Sequence, residues 1–238
     1  MAIELPPPAE AAERLASVLE VIYLIFNEGY SATAGDDWMR PSLYEEALRL
    51  GRILATLAPQ EPEVHGLVAL MELQASRTPA RTDLDGTPIL LQDQDRRLWD
   101  RLLIRRRLEA LAPAEGTFGP YVLQASVAAC HARATRAEDT DWERIAALYE
   151  VLAYVSPSPM VDLDRAVAVS NAHGAARGLE IVDAVVLPNY PLVPAVRGDL
   201  LAKLGRNAEA RHEFERAAGM TRNARERSLF EARAAALE

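Results

Sequence analysis

The chain has 238 residues, half of them hydrophobic, which is enough for one sizeable core. A formal net charge of −9 argues against a surface built to neutralise phosphates, so direct nucleic-acid binding is not expected. The single cysteine, Cys130, rules out an internal disulfide and fits a reducing cytoplasm, and no apolar run approaches the ~20 residues that span a bilayer.

The opening MAIELPPPAEAAERL has no basic segment followed by a hydrophobic core. Residues 1–11 read as a proline-rich leader, the remnant of a linker. Leu15, Val18, Leu19, Ile22, Ile25 and Phe26 recur at helical spacing and predict a first helix from about Ala9 to Asn27, with Gly29 as its C-cap. Ser42 and Glu45 have the spacing of a capping box at the start of a second helix, Leu43 to Leu57, which stops before Pro59. A third is expected from about Pro62 to Ser76.

Residues 78–94, TPARTDLDGTPILLQDQ, interrupt the helical pattern with a turn at Asp85-Gly86 and a short extended run from Thr87 to Leu91. Further helices are expected near 94–111, 120–135, 141–154, 159–173, 175–186, 191–204, 206–219 and 223–237. Their lengths and short connections predict antiparallel pairs. In the last third, 166–185 and 198–218 share one plan: a helix ending at Gly174 or Gly205, then an alanine-rich helix with Gly178 or Ala210 at the crossing. The two terminal glycines lie 31 residues apart, close to the ~34-residue period of tetratricopeptide (TPR) repeats. Residues 222–238 then serve as a capping helix with a more polar outer face. The predicted fold is an all-α helical bundle or α-solenoid of antiparallel pairs, TPR-like in its carboxy-terminal part. We divide it into an N-terminal helical part (about 12–155) and a repeat part (about 156–238) of one domain.

Candidate chemistry falls on two polar stretches. Asn27 and Glu28 end a greasy helix, where a carboxylate with a raised pKa can act as acid or base. The local sequence offers it only Asp36 and Asp37, and the competing expectation is that Asn27 and Glu28 satisfy backbone groups and anchor the loop. The second stretch, Asp93-Gln94-Asp95-Arg96 with Trp99, looks like the polar entry to a helix, and Trp and Arg also suit a partner-facing surface. Asp83-x-Asp85-Gly86 resembles a calcium loop, but the glycine comes too early and Gln94 stands where the bidentate Glu belongs. His65, His131, His173 and His212 have no zinc-ligand spacing, and no nucleophile-elbow, dinucleotide or phosphate-loop motif occurs. Cys130 reads as a buried helical thiol. Arg105-Arg106-Arg107, with Arg96, Arg97 and Arg101, reads as a solvated helix face paired with acids.

The blocks VLEVIYLIFNEGYSAT, LRLGRILATLAPQEPEVHGLVALMELQASR, LLQDQDRRLWD, GPYVLQASVAACHARA, TDWERIAALYEVLAYVSPSPMVDLDRAVAVS and LAKLGRNAEARHEFERAAGMTRNARERSLF occur in this order. Together they resemble the carboxy-terminal, TPR-like extension of extracytoplasmic-function sigma factors, the likeness covering residues 12 to 235. Asn27, Glu28, Gly29 and Tyr30 fall on its most recognisable block; Asp93, Gln94, Asp95, Arg96 and Trp99 fall on another. No promoter-reading sigma domain is found in this sequence, so the chain is expected to be that extension alone, as a truncated piece or a stand-alone relative.

The resemblance implies a non-enzymatic, cytoplasmic regulator of transcription initiation without metal or cofactor. Its implied partners are the sigma domains, RNA polymerase or another regulator. It also suggests that the two polar motifs meet, with Glu28 and Arg96 as a buried ion pair. Two alternatives stay open: a small-molecule-sensing domain with a groove near Asn27, Asp93 and Trp99, and an enzyme using Glu28 with Asp93 or Asp95.

Overall fold

The computed structural model describes residues 8–112 and 116–237. Most of them lie in eleven α-helices: α1 (Pro8–Tyr30), α2 (Pro41–Leu57), α3 (Pro62–Ala75), α4 (Arg101–Leu111), α5 (Pro120–Arg133), α6 (Trp142–Val155), α7 (Pro159–His173), α8 (Ala175–Asp183), α9 (Leu192–Lys203), α10 (Asn207–Met220) and α11 (Ala224–Ala235). Local chemistry sets many of the boundaries. Proline occupies the first turn of α2, α3, α5 and α7, where its missing N–H has no partner to lose. Asp100, Asp141, Ser158 and Asn223 cap α4, α6, α7 and α11 with side-chain acceptors. Gly174 and Gly205 follow α7 and α9 with φ of 100° and 73°, conformations that a side chain disfavours.

Several expected details differ. Residues 8–11 belong to the first turns of α1 rather than to a linker, while the rest of the expected leader, 1–7, lies outside the described residues. Gly29 is not a left-handed cap: α1 continues to Tyr30, and a Cβ on Gly29 would clash with the backbone nitrogen of Tyr44. Glycine is needed there for helix contact. The Ser42–Glu45 capping box does not form, because Arg40 takes the N-cap position of α2 without a side-chain bond. The helix expected from 94 starts only at Arg101, after a 3-10 turn at Arg96–Leu98. Residues 87–91 form no strand, only an isolated bridge between Thr82 and Pro88. Gly178 sits at the predicted crossing: a Cβ there would meet Ser170 and the Ala166 carbonyl of α7 within 2.7 Å.

Most helices pack mainly on their neighbours in the chain, from α1 on α2 through to α10 on α11; the exception is α3, which packs chiefly on α5, with α4 set to the side against α3. This nearest-neighbour scheme defines a solenoid. The core runs along it as successive clusters. Phe26, Leu67 and Met71 seal the first turn of the solenoid, Ile145 and Ala168 its middle, and Leu200, Leu201 and Phe214 its end. Full burial of one such large side chain contributes roughly 1.5–3 kcal/mol. Contact between α6 and α7 continues across residue 155, so the two parts share one stack.

The ends of the stack also touch. β1 (Ala34–Gly35) pairs in parallel with β2 (Arg222–Asn223), in the register Ala34 to Arg222 and Gly35 to Asn223. The solenoid is thereby tied into a closed curve. Among the described residues no helix is long and apolar enough to cross a membrane.

Candidate functional site

The end of α1 is a structural joint. Glu28 pairs with Arg40 at 2.8 Å and accepts from the backbone and hydroxyl of Thr33 at 3.2 and 2.9 Å. Tyr30 is buried and stacks on Phe26, and its hydroxyl donates to the Gln74 carbonyl at 2.9 Å. The guanidinium of Arg81 lies 3.4 Å from the Tyr30 ring centroid and donates to the Tyr30 carbonyl. Burial lowers the Arg81 pKa to about 10, so it stays charged at neutral pH. The stretch therefore clamps α1 to α3 and to the segment after it.

The second polar stretch is another joint, at a different place. Arg96 is buried and donates to the carbonyls of His131 at 2.8 Å and Ala134 at 2.9 Å, and to the Thr140 hydroxyl at 3.2 Å. These carbonyls lie at the carboxy-terminal end of α5, where a cation meets both free acceptors and the negative end of the helix dipole. Trp99, 2% exposed, stacks its ring 4.7 Å from the Arg96 guanidinium. It is thus an internal anchor and not the partner-facing surface that its type suggested.

The other members of the stretch act locally. Asp95 caps the 3-10 turn and chelates Arg97, which holds the carboxylate pKa down at about 2. Gln94 donates to the Ile89 carbonyl at 3.1 Å. Asp93 is exposed and sits near enough to Arg233 to favour its charge. The expected Glu28–Arg96 pair does not form, because Glu28 is committed to Arg40 and Thr33 in the loop after α1 and Arg96 to the carboxy-terminal end of α5. Of the arginine run, Arg105 and Arg106 are exposed as expected, while Arg107 pairs with the fully buried Glu72, which Arg52 also engages at 2.6 Å.

A groove of about 1260 Å³ runs along the inner side of the curve, between α1, α5, the end of α6 and the start of α7. Tyr23 and Asn27 share one stripe of α1, four residues apart, and both line it. The Tyr23 hydroxyl donates to Gln124 at 3.2 Å, and its ring meets Tyr121 edge-on at 5.6 Å. Across the groove Tyr149 and Asp164 line the same wall, and the phenol beside the carboxylate eases its ionisation. Asp164 is open to solvent, yet the surrounding protein limits its hydration and raises its pKa to about 6. Protein mass likewise raises Tyr23 and Tyr121 to about 12. Glu63, also on the rim, accepts from the backbone of Tyr121 and Val122 and so caps α5 from another helix.

Asp164 and Tyr149 also border a second, partly open cavity of about 250 Å³, lined by α5, α6, α7, α9 and residues 90–92. Arg96 Nε and His131 Nδ1 are buried there without a hydrogen-bond partner among the described residues. Burial, with Arg77 and Arg96 nearby, lowers the His131 pKa to about 3, so the ring is neutral. Lys203 approaches Ser170 and Asn171 at 3.4 Å from the far wall. Among the described residues no three His, Cys, Asp or Glu side chains converge as a metal-holding group.

Only Asn27, of the groove's lining, and Arg96, of the second cavity's, belong to the expected site residues. Tyr23, Tyr121, Tyr149 and Asp164 were missed. The signal for Tyr23 was its spacing from Asn27; Asp164 gave none of its own, being one of three charges, with Asp162 and Arg165, between Val161 and Ala166.

A protein-family model described as "Family of unknown function (DUF6596)" matches residues 14–115. An uncharacterized protein of Rhizobium meliloti (strain 1021) is 48% identical over 230 residues, covering 94% of this chain. The chain spans 54% of that relative's length. Among solved structures, a thermophilic TPR protein of Thermus thermophilus superposes with a TM-score of 0.54 at 17% identity, over 82% of this chain and 91% of the other. That likeness establishes the fold: an all-α, TPR-like solenoid.

Proposed function

We propose that this chain is a regulatory protein-interaction module of an alternative sigma factor of the extracytoplasmic-function group, and that it modulates transcription initiation by holding a polypeptide in the inner groove. The groove itself carries the interaction part of this proposal. Its volume of about 1260 Å³ exceeds the ~300–1,000 Å³ of small-molecule sites, and its wall mixes tyrosines, amides and leucines as peptide-binding surfaces do. An exposed apolar strip of Val18, Val21, Ile53 and Leu57 beside it on α1 and α2 further supports a protein-binding role. The sigma-factor part rests on the sequence blocks alone. The relative's additional length leaves room for further domains as the partner within one polypeptide.

The test is a pull-down of the purified chain against the separate sigma domains and core RNA polymerase. Retention of either supports the proposal. Failure with both, together with thermal stabilisation by a small polar metabolite, transfers the function to sensing. The smaller 250 Å³ cavity, with its unpartnered Arg96 Nε and His131 Nδ1, is the observation that favours this second possibility. No catalysis is proposed for Glu28, whose carboxylate is committed to Arg40 and Thr33.

A further inference from the structure

Four carboxylates line the inner groove, Glu20, Glu61, Glu63 and Asp164, and among the described residues no lysine or arginine does. Glu63 is occupied in capping α5. The contrast with the rest of the molecule is instructive. Elsewhere acids at helix contacts find arginine partners: Glu72 has Arg52 and Arg107, and Glu213 has Arg197 and Arg216. Asp164 forms no ion pair among the described residues and is met by a neutral phenol. No cation offsets the partial dehydration that raises its pKa, so a basic group placed in the groove gains an ion pair there.

We propose that a cationic stretch of polypeptide occupies this groove, with an arginine or lysine head seated against Asp164 and Tyr149 and its neighbours along the Tyr23–Tyr121 rings. This rests on the protein-interaction function above and names the chemistry of its partner. The aromatic faces attract a cation and the carboxylate orients it, a combination that suits a guanidinium especially. Leu24 and Met160, both exposed on the walls, give the alkyl stems an apolar surface. Glu20 and Glu61, both exposed in its lining, add further negative charge to the groove, which favours a segment with several spaced cations over a single small amine.

The probe is a fluorescein-labelled peptide alternating arginine and leucine, titrated by anisotropy at physiological salt, with a glutamate–leucine peptide of equal length as comparison. Asp164→Asn is expected to weaken the arginine peptide at least about tenfold, and Tyr23→Leu to weaken it independently. Glu180→Gln removes the same charge from an exposed position on α8, outside the groove, and is expected to leave affinity unchanged. Equal weakening by Asp164→Asn and Glu180→Gln reduces the binding to bulk charge and overturns the proposal. So does equal affinity for the glutamate peptide. Tyr23→Leu gives the same decision should Asp164→Asn not fold. Sigma domains that bind wild type and Asp164→Asn alike remove this inference and leave the function standing. Peptide seating at Asp164 without any sigma or polymerase binding does the reverse.

Discussion

The side-chain amide of Asn223 donates to the carbonyl of Ala32 at 3.0 Å, joining residues 191 positions apart. The same amide donates to Asp37 at 2.9 Å, while the side-chain oxygen caps α11 by accepting from Arg225 and Glu226. One fully buried residue thus closes the solenoid and starts its last helix. Asn223→Ala leaves two carbonyls without donors and the helix without a cap. The expected loss is about 3 kcal/mol in urea unfolding. Asn223→Asp keeps the cap acceptor but loses the donor, so it recovers only a minor part. A loss below about 0.5 kcal/mol for the alanine variant would show that the closure contributes little.

Arg96 is the cation that terminates α5. Replacing it with alanine removes three donated bonds and the packing on Trp99, for an expected cost of about 3 kcal/mol. Lysine, with one compact head in place of a planar fork, is expected to restore less than half. Tryptophan fluorescence during chemical unfolding reads both. Full stability in Arg96→Lys would mean that charge alone, and not the fork, holds the joint.

Glu72 tests the difference between a buried and a half-exposed partner. Its carboxylate has no exposure, and its two arginines differ: the Arg52 side chain is 55% exposed and that of Arg107 is 28%. Arg107→Ala is therefore expected to cost about 2 kcal/mol and Arg52→Ala under about 1 kcal/mol, since solvent screens the more exposed pair. The reverse order in thermal melts would place the main compensation for Glu72 on α2.

Asp164 carries a stability signature of opposite sign to an ordinary paired acid. Its pKa is raised from 3.8 to about 6 in the folded chain, so folding is favoured most where the group is protonated in both states. That advantage is present below about pH 4 and is lost as pH rises through 6. Asp164→Asn is expected to be more stable than wild type at pH 8 and equal to it near pH 3.5. Because water reaches the carboxylate, the gain at pH 8 should be about 1 kcal/mol or less. No gain at pH 8 would mean that the groove solvates Asp164 fully. A gain coupled to lost peptide binding is the pattern expected of an acid kept for function at the expense of stability.

The two polar motifs that stand out in the sequence proved to be joints. Asp95, Arg96 and Trp99 form one, Glu28 and Tyr30 the other, and the sequence offered no way to tell that each would find other partners instead of meeting. A buried arginine and a surface arginine look alike until the carbonyls of His131 and Ala134 are placed beside it. Gly29 shows the same limit: glycine at a helix end suggests a cap, and only the position of Tyr44 shows that it serves close approach.

What the sequence determined by itself is local. Apolar spacing, first-turn prolines and the glycines after α7 and α9 specify which segments are helical and roughly where they stop, because those preferences act within a few residues. The tertiary structure alone decided the rest. Tyr23, Tyr121, Tyr149 and Asp164 come from four helices, and the groove they share depends on the curvature summed over every helix contact between them. Asn223 then holds that curvature closed through two carbonyls near the other end of the chain. Contacts of that range leave no periodic trace in a sequence, since only the packed backbone sets the distance between their ends.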